Sequence, residues 1–392
     1  MCSGGVDSSL IAAYAKDYVT DIPGYVADVA WDDGEGDQAA RIGRHLGVPI
    51  RRIVVDQACF LELWPYAVWH SDGPPLSPSD SALLAVTRAC RSDGIKVLLT
   101  GEGSDELFGG HSAHQITFDS WRRLNSWRRL FSRPRGAMQG IRHEPFGMTP
   151  MNSSRARRLT VAFGASQALL TKRLFELLAP IEDDADRAFI AHGLHDLHHH
   201  LSWILHRHDR LGVAASMEMR VPFLENALFD FAFHLPRRAK LHRGHAKWLV
   251  KKAAAELLPA DVVYARKKGF PVTSKFSRGT QRLLLGGRLA EVMEWSAEAT
   301  DEIVANLVED RVLRFHVVGL ELWCRLFFGG EAPDALGEKL LRSRSMQRVA
   351  RTDHPPESGF RQHARSSLGL EEPCWSSFPA VQLHNDLKRV SF

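Results

Sequence analysis

The 392 residues predict an α/β fold, a parallel sheet followed by a mainly helical region. Three observations carry that prediction. The first hundred residues alternate short apolar runs with helix-period stretches, in the manner of βαβ units. Ile95-Lys96-Val97-Leu98-Leu99 is a short continuous apolar run of the kind buried in parallel sheets. Past about residue 115 the pattern turns helical and stays so to about residue 345.

In order, Ser8 to Tyr18 reads as a helix rich in Ala and Leu. Tyr25 to Trp31 is apolar and strand-like, and Gln38 to Leu46 is helical, closed by Gly47. Pro49 to Val55 is a strand through Ile50, Ile53, Val54 and Val55. A helix from Ser79 to Cys90 leads through Gly94 into the apolar run ending at Leu99. An α/β part over residues 1–112 and a mainly helical part over 113–345 follow as the expected division. The tail, 346–392, mixes Pro, Ser, His and Arg without periodicity and is expected to be weakly ordered. No repeat of solenoid length is visible.

Composition excludes several classes. Charged residues at 24% and hydrophobic ones at 44% describe a globular chain and argue against disorder. A net charge of +4 is too weak to imply nucleic acid, and no apolar run reaches membrane-helix length. The cysteines 2, 59, 90, 324 and 374 lie far apart with no Cys-x-x-Cys pair. Reduced thiols in a cytoplasm fit better than a disulfide scaffold or a zinc ribbon.

Two loops carry chemistry. In Ser3-Gly4-Gly5-Val6-Asp7-Ser8-Ser9, the glycines let backbone approach an oxyanion closely, and hydroxyls and free N–H groups then open a helix. Asp7 would suit a Mg²⁺ ion between phosphates. No Lys follows the glycines, so this is not a Walker loop. The plain alternative is a Gly-rich helix cap without a ligand. Thr100-Gly101-Glu102-Gly103-Ser104-Asp105-Glu106-Leu107-Phe108-Gly109-Gly110 begins where the buried run ends, the place where open parallel sheets bind ligands. Its carboxylates among glycines suit a metal or a nucleophile losing a proton; the plain alternative is an acidic surface turn.

These residues resemble a known family. Ser3 to Ser9 resembles the pyrophosphate loop of the N-type ATP pyrophosphatases, and Gly101 to Gly110 resembles the signature of the asparagine synthetase branch. Asp209-Arg210 with Glu218-Met219-Arg220-Val221-Pro222-Phe223-Leu224-Glu225, then Lys247, then Lys267-Lys268-Gly269-Phe270 resemble later family motifs in order and spacing. The resemblance spans roughly residues 1–275.

It implies a Rossmann-like adenine nucleotide alpha-hydrolase sheet (a PP-loop ATPase) within a synthetase-like domain over residues 1–345. It also implies ATP and Mg²⁺: a carboxylate, by default that of aspartate, is adenylated with release of pyrophosphate, and ammonia then displaces AMP. On that reading Ser3, Gly4, Gly5, Asp7 and Ser8 hold pyrophosphate, and Asp7 and Asp105 lie near Mg²⁺. Lys247 stabilises charge on the α-phosphate, and Glu102 takes a proton from the attacking amine. Val29, Thr100 and Gly101 contact the adenosine through main chain, and Arg220 is structural, fixing loop geometry. Partners are then small molecules (an aspartate-like acid and ammonia, free or glutamine-derived), with a homodimer or a separate glutaminase partner as the assembly, and neither nucleic acid nor membrane.

There are departures. Family members carry an apolar strand before Ser-Gly-Gly; here only Met1 and Cys2 precede it, so Met1 is expected to be internal to a longer protein or a misassigned start. Cys2 is expected to be the last residue of that strand rather than the nucleophile of a glutaminase domain, which is not seen in this sequence. His111-Ser112-Ala113-His114 follows Gly110 where an aromatic residue is common, and Gly212 and Val213 replace a hydroxyl residue and Met. Relatives that close β-lactams or cyclise lasso peptides share the two signatures and supply the alternative activity; a non-catalytic binding module is a third reading.

Two features stand apart. Seven histidines lie between 192 and 208, of which His192, His195 and His199 share a helix face; an exposed His-rich helix is preferred over a metal site. The basic-aromatic stretch Trp121 to Leu130 reads as an amphipathic helix rather than a nucleic-acid surface.

Overall fold

The computed structural model describes residues 1–29, 34–74, 77–111, 177–242, 244–265 and 274–349. The Trp121 stretch, the Lys267-Lys268-Gly269-Phe270 motif, the chain beyond 349 and the side chains of His192 and His199 lie outside them.

The first helix, α1 (Val6–Ala15), springs directly from extended Gly5. It starts before the expected Ser8 and stops short of Tyr18, whose ring is exposed and has no core to join. Strand β1 (Gly24–Val29) pairs in parallel with β2 (Ile50–Val55), and between them α2 (Glu35–Leu46) ends at left-handed Gly47, as its sequence requires. In β2 only Ile53 and Val55 are buried. Val54 lies between them in the alternation, points to the opposite face and is exposed.

Helix α3 (Gln57–His70) has no counterpart in the sequence reading. Pro65 interrupts its pattern, yet the Asp56 carboxylate caps it by accepting from the Cys59 N–H at 2.8 Å. Helix α4 (Asp80–Ser92) then leads to β3 (Val97–Leu99), where Leu98 is buried and Val97 is exposed. The apolar run is thus not buried throughout. It is followed by the short helix α5 (Ser104–Phe108).

From residue 177 on, the described elements are helical but for one. Helix α6 (Asp184–His195) passes through a π-helical turn (Asp196–Leu201) into α7 (Ser202–Val213). The exception, β4 (Glu218–Arg220), pairs in parallel with β3, Leu98 opposite Met219. Helices α8 (Asn226–His234), α9 (Trp248–Ala254), α10 (Arg311–Phe327) and α11 (Pro333–Val349) follow, and the span between α9 and α10 holds a further helix, Ala297–Asn306, and shorter helical segments.

The regular pairing among the described residues is therefore two parallel pairs, β1·β2 and β3·β4, rather than one continuous sheet. Met1 and Cys2 lie between the pairs: the Met1 amine donates to the Leu99 carbonyl, and the Cys2 N–H donates to the Tyr25 carbonyl at 2.8 Å. Two apolar clusters flank this arrangement. One packs Tyr25, Ala27 and Val29 of β1 against α3, α4 and α10, with Trp64 stacked on Phe315 at 5.0 Å. Burying each such side chain stabilises by roughly 1.5–3 kcal/mol. The other packs Cys2, Leu10 and Ala13 against Ile42, Phe108, Phe223 and Val250. This second cluster takes in Leu107 and Phe108, with Val6 packed against it, so it backs both motif loops.

Candidate active site

The N-terminal loop is held by its own hydroxyls. The Ser3 N–H donates to the Ser8 hydroxyl at 3.1 Å, and the Ser3 and Ser8 oxygens stand 3.0 Å apart. Gln38 of α2 donates its amide to the Gly4 carbonyl at 2.9 Å, anchoring the bend. The early N–H groups of α1 then point toward the loop, as anion binding requires.

The second loop is pressed against this one. A Cβ on Gly101 would stand 3.0 Å from the Ser8 nitrogen and 3.1 Å from the Asp7 Cβ, so only glycine lets the loops meet this closely. Ser104 donates to Asp7 Oδ1 at 2.6 Å. From the far side Lys247 closes the cluster: its Nζ lies 2.5 Å from Asp7 Oδ2 and 3.0 Å from Asp105 Oδ1. Lys247 sits at φ +54°, left-handed for a residue with a Cβ, at a cost of roughly 1–2 kcal/mol. Its side chain is only 5% exposed. Burial works against the charge, but the Asp7 and Asp105 carboxylates outweigh it and hold the ammonium above the ordinary lysine range. Gly110 completes the wall, since a Cβ there would overlap Asp105 Oδ1 and touch Lys247 Cδ at 2.8 Å.

Glu102 faces a different group. Its Oε1 lies 3.9 Å from His208 Nε2. Burial first, then the neighbouring Arg207, holds His208 well below the ordinary histidine range, so it is neutral. Arg207 Nη2 lies 3.5 Å from His208 Nε2, which makes that nitrogen an acceptor and not a donor to Glu102. Arg207 also donates to the Ser79 hydroxyl at 2.9 Å and stands 3.7 Å from Asp80. Burial pushes Asp80 up to about 6, although Arg207 and the Ser77 N–H pull the other way. Sequence reasoning missed Ser104, Ser79, Asp80, Arg207 and His208. The Asp209-Arg210 motif beside the last two was the one available signal.

The other expected residues fall as follows. Thr100 is buried, donates its N–H to the Arg220 carbonyl at 2.9 Å, and has a hydroxyl with no hydrogen-bond partner among the described residues. Val29 ends β1 within the core. Arg220 serves the site through its main chain; its side chain fixes no loop but pairs in solvent with Glu218 at 2.8 Å. The expected exposed His-rich helix is corrected as well, because His195 and His208 are buried. The donor set fits a hard cation: the carboxylates of Asp7 and Asp105 and the Ser104 hydroxyl are oxygen donors converging on a point now neutralised by an ammonium. A separate apolar cavity of about 450 Å³, between α1, α8 and α9, is lined by Leu10, Tyr14, Phe223, Phe231 and Val250 and holds none of these charged groups.

Over 351 residues the chain is 27% identical to asparagine synthetase [glutamine-hydrolyzing] 1 of Bacillus subtilis, covering 83% of this chain and 54% of that protein. It is 29% identical over 362 residues to a putative asparagine synthetase [glutamine-hydrolyzing] of Mycobacterium bovis, covering 83% and 53%. A shorter match, 33% over 127 residues, covers 28% of this chain and 19% of the amidase chyE of Penicillium rubens. The chain spans about half the length of the first two relatives. The family described as Asparagine synthase matches residues 1–325, across every loop described above, and the chain belongs to that family.

Proposed function

We propose that this chain is an ATP-dependent amide-forming ligase, a carbon–nitrogen ligase acting by default on aspartate. The observation that carries the reading is the buried Asp7–Lys247–Asp105 cluster at the mouth of a hydroxyl-lined helix N-terminus. ATP with Mg²⁺ would supply an adenylyl group to the acid, making its carbonyl carbon open to attack by ammonia with loss of AMP. Ser3, Gly4, Gly5 and Ser8 would bind the pyrophosphate part, whose charge the α1 N-terminus favours. Asp7 and Asp105 would hold Mg²⁺, and Lys247, released from them, would lie against the α-phosphate. Thr100 and Gly101 would meet the adenosine, with Val29 at the end of β1 beside them. Glu102 would accept the proton of the attacking amine. The two parallel pairs with Met1 and Cys2 between them suit the Rossmann-like sheet of the PP-loop ATPases. Free thiols at Cys2, Cys59, Cys90 and Cys324 suit a cytoplasmic setting. Among the described residues no helix is long and apolar enough to cross a membrane. Ammonia would come from solution or from a glutaminase, with a homodimer or a separate partner as the assembly.

The test is exchange of labelled pyrophosphate into ATP by the purified protein. Exchange requiring both Mg²⁺ and aspartate is the expected result. Exchange driven by a β-amino acid or a peptide carboxylate, but not by aspartate, would move the assignment to a cyclase. No exchange with any acid would overturn the ligase reading.

A further inference from the structure

The second motif carries a carboxylate that the proposed chemistry does not use. Glu106 is only 2% exposed in its side chain, and two histidines converge on it. His200 Nδ1 lies 3.2 Å from Glu106 Oε1, and His111 Nε2 lies 3.8 Å from the same oxygen. One donor atom from each of the three residues falls within 4.8 Å of the others. Donors around a tetrahedral ion with bonds near 2.0–2.1 Å stand roughly 3.3 Å apart, so the spacing is close to that of a metal site.

A second observation concerns orientation. The Asp196 carboxylate, itself nearly buried, accepts from His111 Nδ1 at 2.9 Å. That bond places the proton on Nδ1 and leaves the Nε2 lone pair facing Glu106, the arrangement in which an outer carboxylate fixes a metal-bound imidazole. Asp196 and His200 both belong to the π-helical turn between α6 and α7. The wider turn brings an orienting carboxylate and a donor imidazole to one side, and such turns recur at functional sites. The His111 and His200 rings meet edge to face at 5.1 Å, so neither blocks the other.

The geometry points to Glu106, His111 and His200 as a binding site for a first-row divalent metal ion, Zn²⁺ foremost, with Asp196 orienting His111. Two imidazoles and one carboxylate suit Zn²⁺ better than Mg²⁺, which favours oxygen donors. Glu106 is buried and the two histidines are 18% and 16% exposed, so the ion would be largely shielded, with three protein donors and one coordination position left open. An ion there would tie α5, which carries Asp105, to the π-helical turn. This site is distinct from the Asp7–Asp105 pair and does not depend on the ligase reading.

The test is titration of the chelator-treated protein with Zn²⁺ in the absence of nucleotide. One ion per chain is expected, with a rise in melting temperature. His111→Ala and His200→Ala should each abolish both effects, while Asp196→Asn should weaken binding about 10–100-fold, as loss of an orienting partner does elsewhere. Asp7→Asn should leave Zn²⁺ binding unchanged. X-ray absorption at the zinc edge of the unsubstituted protein needs no variant to fold, and it should show two imidazoles. Failure to bind one ion per chain, binding unaffected by both histidine changes, loss of binding in Asp7→Asn, or a zinc edge without imidazole scattering would each overturn the assignment.

Discussion

The ammonium of Lys247 donates to the carboxylate of Asp7 at 2.5 Å, although 240 positions separate the two residues. One bond therefore joins the first motif of the chain to its fourth. Asp105 receives the same ammonium at 3.0 Å. Lys247→Met should leave two carboxylates facing each other in a largely buried pocket. Removing one partner of a buried ion pair costs roughly 3–5 kcal/mol. Thermal melts of the ligand-free protein should show a loss of that order. Lys247 is held above its ordinary range, so its stabilising effect is full below about pH 10.4 and declines as pH rises through the higher folded value. The gap between the two proteins should therefore narrow only in strong alkali. Equal melting temperatures at pH 8 would show that the pair contributes nothing net.

Gly110→Ala probes the same cluster without removing a charge. The added methyl would overlap Asp105 Oδ1 and stand 2.8 Å from Lys247 Cδ, so the Asp105–Lys247 contact must open. Overpacking of this kind costs about 1–3 kcal/mol. Pyrophosphate exchange should fall at least tenfold while the protein stays folded by circular dichroism. Unchanged exchange would mean that Asp105 does not need its present position.

Two buried groups near Glu102 give opposite pH signatures. His208 is depressed, so its contribution to stability is present above about pH 6.5 and is lost as pH falls. Asp80 is raised from 3.8 to about 6, so its contribution is present below about 4 and is lost as pH rises through 6. About two pH units correspond to about 3 kcal/mol at most. Urea midpoints from pH 4 to 8 separate the two. Relative to His208→Gln, the unsubstituted protein should weaken on acidification below pH 6.5. Relative to Asp80→Asn, it should weaken as pH rises from 4 to 6. Parallel curves for all three proteins would reject both assignments.

What the sequence revealed, and what it did not, follows the range of the interactions. Helix α2 was readable because Gly47 must end it and its apolar residues repeat at helical spacing. The two motif loops were readable because their residue types are rare in combination. Strand β4 was not, because Glu218-Met219-Arg220 has one apolar residue and becomes a strand only through pairing with β3. Helix α3 was hidden by Pro65, which its buried setting tolerates. The groups around Glu102 were hidden by distance: Arg207 meets Ser79 across 128 positions, and no local pattern encodes that contact. The Glu106 site was half visible. The histidine cluster stood out, but the π-helical turn that aims His200 at Glu106 leaves no periodic trace.

Glu102 offers the sharpest separation of steps. It lies on the loop that touches Asp7 and Ser8, yet its own neighbour is a neutral histidine whose Nε2 accepts from Arg207. His208 therefore brings no positive charge to the carboxylate. If its task is to take the proton of the attacking amine, Glu102→Gln should slow amide formation by about 10²–10⁴, the usual range for a lost general base. Pyrophosphate exchange, which precedes that proton transfer, should stay within a few-fold of the unsubstituted rate. Side-by-side assays of the two half-reactions decide the matter. Equal losses in both would place Glu102 in acid binding or in shaping the loop, and not in capture of the amine.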